Sequence, residues 1–448
     1  MKSHLGLPAI CCLLSVASAQ WLETVIQLPD STEPVAMCYS LPTDKVYCAN
    51  RLDSSITVIS GQTNDIIGTI PLGFAPGYFG LFAHPTAAKV YCGGGPYPIA
   101  VVDALADTVI RLLTDTASLH RCCYNPTTNK LYCVSCGFTV FDTGPDTVVG
   151  RIELENSYSK RMLCNPVTNR VYSVELLRHE VVVVDGVADT VCGGVSVGAY
   201  PNDGCWDAQL NRLFVSCEYP EHESSLYYIA CTTNSVIQRV SVRHGPTGLA
   251  YNQAAQLLYV EDYYRGRVDA YRGTTGTHVT GRYIRPHSGT LFYNEVSEKL
   301  YCYVNGGNRI EALDGTTLQP VATVETDSFP FPYAWNPSMN RTYSAFGSRN
   351  RIAVIRDSQS GLQKDPSEEE LPSSGATIAR GVLKLPQDVG TGHLKPTLLD
   401  ISGRKVLDLA PGPNDISWLS PGVYFVRGED SRVPGFEGSS VSKVVVAR

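Results

Sequence analysis

At 448 residues the chain exceeds the size, roughly 250–300 residues, at which a single hydrophobic core stops growing, so a modular or repetitive plan is required. With 43% hydrophobic and 18% charged residues it is too apolar for a disordered chain. A formal net charge of −7 gives no electrostatic reason to bind DNA or RNA, so no nucleic-acid partner is expected.

In chain order, residues 1–20 read MKSHLGLPAICCLLSVASAQ, with Lys2 first, an apolar run from Leu5 to Val16, then small residues at Ala17 and Ala19. This is the pattern of a secretory signal peptide cleaved near Ala19. Its apolar core is shorter than the ~20 residues a bilayer demands, and no later run is long enough, so no transmembrane segment is expected in the mature chain. Cys11 and Cys12 leave with the signal, and thirteen of the fifteen cysteines remain. An odd number cannot all pair internally.

Residues 21–357 carry an internal repeat. A basic or polar residue, then Leu or Val, then an aromatic recurs with the aromatic at Tyr47, Tyr91, Tyr132, Tyr172, Phe214, Tyr259, Tyr301 and Tyr343, in steps of 40–45 residues. Eight positions before each anchor stands a mostly large residue, as at Tyr39, Tyr124 and Trp206, followed by a turn former such as Ser40, Asn125 or Asp207. The third run of each unit alternates as in IAVVD, FTVFD and VVVVD, and a fourth follows as TVIRLL or TVVGRI. Four short strands per unit, with no helix-period pattern, predict an all-β, eight-bladed β-propeller of four-stranded antiparallel blades. The eighth unit ends at Arg351–Asp357 without a fourth strand, whereas ETVIQLP, Glu23 to Pro29, precedes the first unit unclaimed. The N-terminal strand is therefore expected to close the last blade, leaving no sheet edge unpaired.

The anchors YCAN, YCVS and YVED, each followed by a VxVxD strand, resemble the YVTN-type propeller repeats of prokaryotic surface proteins. The resemblance implies a scaffold, not a reaction, because that family is defined by its repeats. Residues 358–375 are polar and aperiodic, a linker, and residues 376–448 predict a small C-terminal β-sandwich. The runs LLDISGRKV, PGPNDIS, SPGVYFVR and KVVVAR resemble the type A C-terminal sorting domain of the type IX secretion system. That resemblance implies the outer-membrane export machinery as a partner, and a secreted or cell-surface location.

Candidate chemistry is sparse. Cys38 and Cys123 stand nine before an anchor and Cys48 and Cys133 one after it, so Cys38 with Cys48 and Cys123 with Cys133 are disulfide candidates; small buried filler is the competing reading. Cys133 and Cys136 form a CxxC, but side chains three apart on a strand face opposite ways, so no metal is expected there. The pairs Asp103/Asp107, Asp142/Asp146 and Asp185/Asp189 bracket the turn before the fourth strand, where they are expected to cap the turn rather than hold calcium. Segments entering the innermost strands bring His120, Arg121, Lys160, Arg161, Tyr200, Arg243, His244, Arg285 and His287 toward the mouth of a central funnel. Such a set predicts a site for a small anionic ligand, a carboxylate or an acidic glycan, with a protein partner at the propeller face as a further candidate. No nucleophile elbow, HExxH, phosphate loop or dinucleotide fingerprint occurs, so no cofactor and no catalytic residue is assigned. A noncatalytic binding or adhesion module is expected; a lyase or hydrolase working in the funnel and a structural surface-layer component remain the alternatives.

Overall fold

Where β-branched residues alternate without interruption, both faces of a strand seek cover, and a radial stack of sheets supplies it. The computed structural model describes residues 20–94, 98–113, 119–135, 137–218, 224–242, 245–284, 288–304, 308–326, 332–346, 349–357, 377–379, 382–385, 397–399, 404–410, 412–416, 419, 422–428 and 440–446. By internal contacts the chain divides into two units, Met1–Gln363 and Lys364–Arg448. The signal-peptide reading on residues 1–20, apart from Gln20, and the linker reading on residues 358–375 fall outside the described residues. Among the described residues no helix is long and apolar enough to cross a membrane.

The first unit is a propeller of eight four-stranded antiparallel blades. Blade 1 is the meander Pro34–Ser40, Lys45–Asn50, Ser55–Ser60 and Ile66–Pro71. Six more meanders follow within residues 81–113, 120–153, 159–196, 201–242, 246–283 and 288–325. Blade 8 has the order Gln20–Gln27, Arg351–Asp357, Arg341–Phe346, Tyr333–Asn336, so its outer strand comes from the start of the chain. Gln20 lies opposite Asp357 and Gln27 opposite Arg351, in antiparallel register, and the ring closes as the unclaimed N-terminal strand requires.

The two-residue period places the core between blades. In blade 4, Tyr172, Val174, Val181 and Val183 pack toward blade 5 against Leu213, Val215 and Ile229. Their alternates Val171, Val182 and Val184 pack the other way, against Tyr132 and Val140 of blade 3. Fourth strands cover only one side, and Thr190–Ser196 is accordingly exposed at all but one position.

The motif's basic residue and aromatic have a common task at the blade seams. Lys45 Nζ and the Tyr47 hydroxyl both reach the Asp107 carboxylate of the next blade, at 2.7 and 2.9 Å. Lys89 with Tyr91 does the same on Asp146, and Lys130 with Tyr132 on Asp189, at 2.6–2.7 Å. Blade 7 binds blade 8 through Lys299 and Tyr301 on Asp357, at 2.5 and 2.6 Å, and blade 8 binds blade 1 through Tyr343 on Asn64, at 2.7 Å. Asp107, Asp146, Asp189 and Asn64 all have φ between +53° and +66°, a left-handed conformation that Asp and Asn tolerate best among residues with a side chain. The expectation of turn capping therefore divides. Asp103 and Asp185 accept turn amides two and three residues on, at 2.8–3.2 Å, whereas Asp107, Asp146 and Asp189 are latches to the preceding blade.

The turn former after each first strand caps in the same way. Asn165 Oδ1 accepts from the amides of Val167 and Thr168, and Asn336 Oδ1 from those of Ser338 and Met339. Blade 2 uses His84, whose Nδ1 accepts from Thr86 and Ala87 at 3.2 and 2.8 Å. Burial holds its imidazole below the ordinary range, so folding keeps it neutral. As pH falls through about 6.5 the unfolded chain protonates first, so stability present above that pH is lost progressively below it. His84→Asn, which keeps the acceptor, is expected to flatten the urea-midpoint profile between about pH 6.5 and 5, whereas His84→Ala is expected to cost about 1–2 kcal/mol at pH 7.

The proposed disulfides are not formed. Cys38 lies opposite Tyr47 and Cys48 opposite Met37, so the two thiols emerge on opposite faces and enter different interblade cores. Cys123 and Cys133 are separated likewise, and Cys133 instead contacts the Cys122 thiol in the core between blades 2 and 3. Burial pushes the Cys38, Cys123 and Cys133 thiols well up, which keeps them protonated. Peptide mapping without reductant is expected to find no Cys38–Cys48 or Cys123–Cys133 link. Cys136 of the CxxC lies outside the described residues.

In the second unit a five-stranded sheet, containing one parallel pair, accompanies a two-stranded sheet. Leu383 of the small sheet shares a core with Leu398 and Val426 of the large one and with Leu409, Ile416 and Leu419. This is the packing of a small sandwich.

Candidate ligand cavity

Antiparallel strands put the turns after first and third strands on one face of the ring and the remaining connections on the other. The latches occupy the first face. Toward the other, the innermost strands open on a central cavity of about 870 Å³ to which all eight blades contribute. Five of those strands carry a register break at the same place: 34/36 in blade 1, 159/161 in blade 4, 201/203 in blade 5, 246/248 in blade 6 and 288/290 in blade 7. The break adds a residue and turns it out of the ladder. Lys160, Asn202 and Thr247 are such residues, and all three line the cavity.

Arg121 sits at the corresponding break in blade 3 with φ +55°, and its Nη1 donates to the carbonyls of Ser159, at 3.3 Å, and Lys160 of blade 4. Lys160 and Arg161 follow on the cavity wall. Burial, reinforced by the Arg121 guanidinium, holds the Lys160 ammonium below its ordinary range. The Asp203 carboxylate pushes Arg161 the other way, its oxygen 3.8 Å from Arg161 Nε.

The adjoining wall, from blades 5 and 6, is acidic, which the sequence reading missed. Asp203 Oδ1 accepts from the Gly204 amide at 2.8 Å and its Oδ2 from the Leu249 amide of blade 6 at 2.9 Å, so its orientation is fixed. Glu218 Oε2 accepts from Asn202 Nδ2 at 2.7 Å. Glu261 lines the cavity at 1% exposure. Met37, Leu81, Phe82 and Leu291 give the rest of the wall an apolar character. Tyr333 completes it, stacked at 4.8 Å on the fully buried Tyr303, its phenol pushed up by burial.

Of the nine residues read from the sequence, Arg121, Lys160 and Arg161 come together here. Tyr200 does not line the cavity; it is 45% exposed, with its amide on His179 Nδ1 and its ring edge-on to that imidazole. His120 pairs with Val134 through its backbone, and its side chain, like Arg243, His244, Arg285 and His287, lies outside the described residues. A signal existed for Asp203 alone among the acids, since most of the cavity lining falls ten to twelve residues before an anchor, Met37, Arg121, Lys160, Asp203, Thr247 and Leu291 among them, whereas Glu218 and Glu261 follow their anchors.

No family model matches the chain. No curated protein matches it either. Among solved structures the chain is similar to Sqt1 of Saccharomyces cerevisiae at 8% identity and a TM-score of 0.60, with 74% of this chain and 97% of that one covered. Hydrazine synthase of Kuenenia stuttgartiensis matches at 14% identity and a TM-score of 0.49, over 74% and 97% of the two chains. A chain of the mitotic checkpoint complex matches at 10% identity and a TM-score of 0.49, over 80% and 98%. At such identities the likeness to Sqt1 is one of fold alone, and that fold is the β-propeller.

Proposed function

We propose that the chain is a noncatalytic binding propeller that takes a small ligand bearing an anionic group in its central cavity. The observation that carries this reading is the convergence of Arg121, Lys160 and Arg161, from two adjacent blades, on one cavity of a size suited to small molecules. Lys160 and Arg121 supply positive charge where surrounding apolar wall strengthens its pull on an anion. The cavity-face connections offer the variable surface on which propeller-type scaffolds place recognition. Titration of the full-length protein with succinate and galacturonate is expected to show saturable binding that weakens as salt rises. Lys160→Ala combined with Arg121→Ala is expected to lower affinity at least about tenfold, the loss of one charge-assisted bond. Unchanged affinity in that variant rules the cavity out.

The repeats' resemblance to YVTN-type surface proteins and the C-terminal runs' resemblance to the type IX sorting domain support an exported, surface-directed protein. In that reading the signal peptide is removed by cleavage near Ala19 on export, and residues 376–448 address the chain to the outer-membrane machinery. Expressed in a bacterium that has this machinery, a chain lacking residues 376–448 is expected to stay behind the outer membrane while the full chain passes it; equal export of both would defeat the assignment.

A further inference from the structure

The cavity holds two opposite charges that are not joined. The Lys160 ammonium has no hydrogen-bond or ion-pair partner among the described residues. Glu218 commits Oε2 to Asn202 and leaves Oε1 without a partner among those residues. Lys160 belongs to the break in blade 4's first strand, and Glu218 follows the second strand of blade 5, Arg212–Cys217. The Glu218 carboxylate acts on the Lys160 ammonium, yet no ion pair links them.

A simple anion entering this space gains Lys160 and Arg121 but meets Glu218, Asp203 and the buried Glu261; a simple cation meets the reverse. A ligand carrying both charges satisfies both walls. Building on the binding reading above, we propose that the cavity takes a zwitterion of the amino acid or short-peptide class, its carboxylate on Lys160 beside Arg121 and its ammonium on Glu218. Met37, Leu81, Phe82 and Leu291 then face the ligand's side chains, which favours aliphatic ones. At about 870 Å³ the cavity lies near the top of the ~300–1,000 Å³ range of small-molecule sites, with room for more than one residue.

Calorimetric titration of the full-length protein tests this with trileucine bearing free ends, its N-acetylated form, its C-terminal amide, and succinate. Free trileucine is expected to bind at least tenfold more tightly than either blocked form. Glu218→Gln is expected to erase the preference over the N-acetylated form while leaving succinate binding intact or tighter, since a repelling charge is gone, and Lys160→Met to weaken every carboxylate ligand. Equal affinity for free and N-acetylated trileucine overturns the zwitterion and leaves the anion-binding reading standing. No binding by succinate or any peptide overturns both. The ligand series needs no substitution, so it decides even where a variant fails to fold.

Discussion

Asp357→Ala is expected to lower the unfolding free energy by about 3–5 kcal/mol, several times the cost of the matching Asp107→Ala change. Both carboxylates take a lysine and a tyrosine hydroxyl across a blade seam, so the chemistry is the same and burial is the variable. The Lys299 and Asp357 side chains are 6% and 2% exposed, against 17% and 23% for Lys45 and Asp107. Removing Asp357 takes its ion pair from a buried ammonium and a hydrogen-bond acceptor from Tyr301 and Ser297. The less deeply buried Lys45 turns to water, and its pair is worth about 1 kcal/mol. Urea denaturation at pH 7 measures both. Lys299→Met with Asp357→Leu is expected to recover most of the loss, because the charges then leave together. Equal costs for Asp357→Ala and Asp107→Ala would show that burial is not the governing term.

Deleting residues 20–28 is expected to abolish the cooperative unfolding transition and yield aggregated protein. The deletion takes Ile26 and Leu28 from the core between blades 8 and 1, worth about 1.5–3 kcal/mol each. It also removes Glu23, the carboxylate that neutralises Arg341, whose side chain is 6% exposed. The combined loss is comparable with the whole net stability of a domain, about 5–15 kcal/mol. The strand Arg351–Asp357 would in addition become a bare edge, able to pair with another chain. A synthetic peptide of residues 20–29 added in trans is expected to restore the transition, and a deletion variant that melts normally without it would show that blade 8 is stable with three strands.

The ring was legible because its determinants are local and repeat. A lysine or arginine two before the aromatic, as in KVYC and KLYC, marks the seam in seven of the eight blades, and the aromatic itself, recurring eight times, counts them. The closing strand was legible by default, as ETVIQLP had no other unit to join. The cavity was only half legible. Lys160 and Arg161 stand in a visibly basic run, but Asp203, Glu218 and Glu261 hold three different positions in their units, and no linear pattern connects them. The disulfide reading failed on one residue of register: Cys122, not Cys123, shares a face with Cys133.

Latches and cavity occupy opposite faces, so assembly and recognition draw on separate sets of side chains. Positions ten to twelve before each anchor carry neither the seam lysines nor their carboxylates. A lineage of such rings is free to exchange what it recognises, one blade at a time, while the hub that holds the blades together is inherited unaltered.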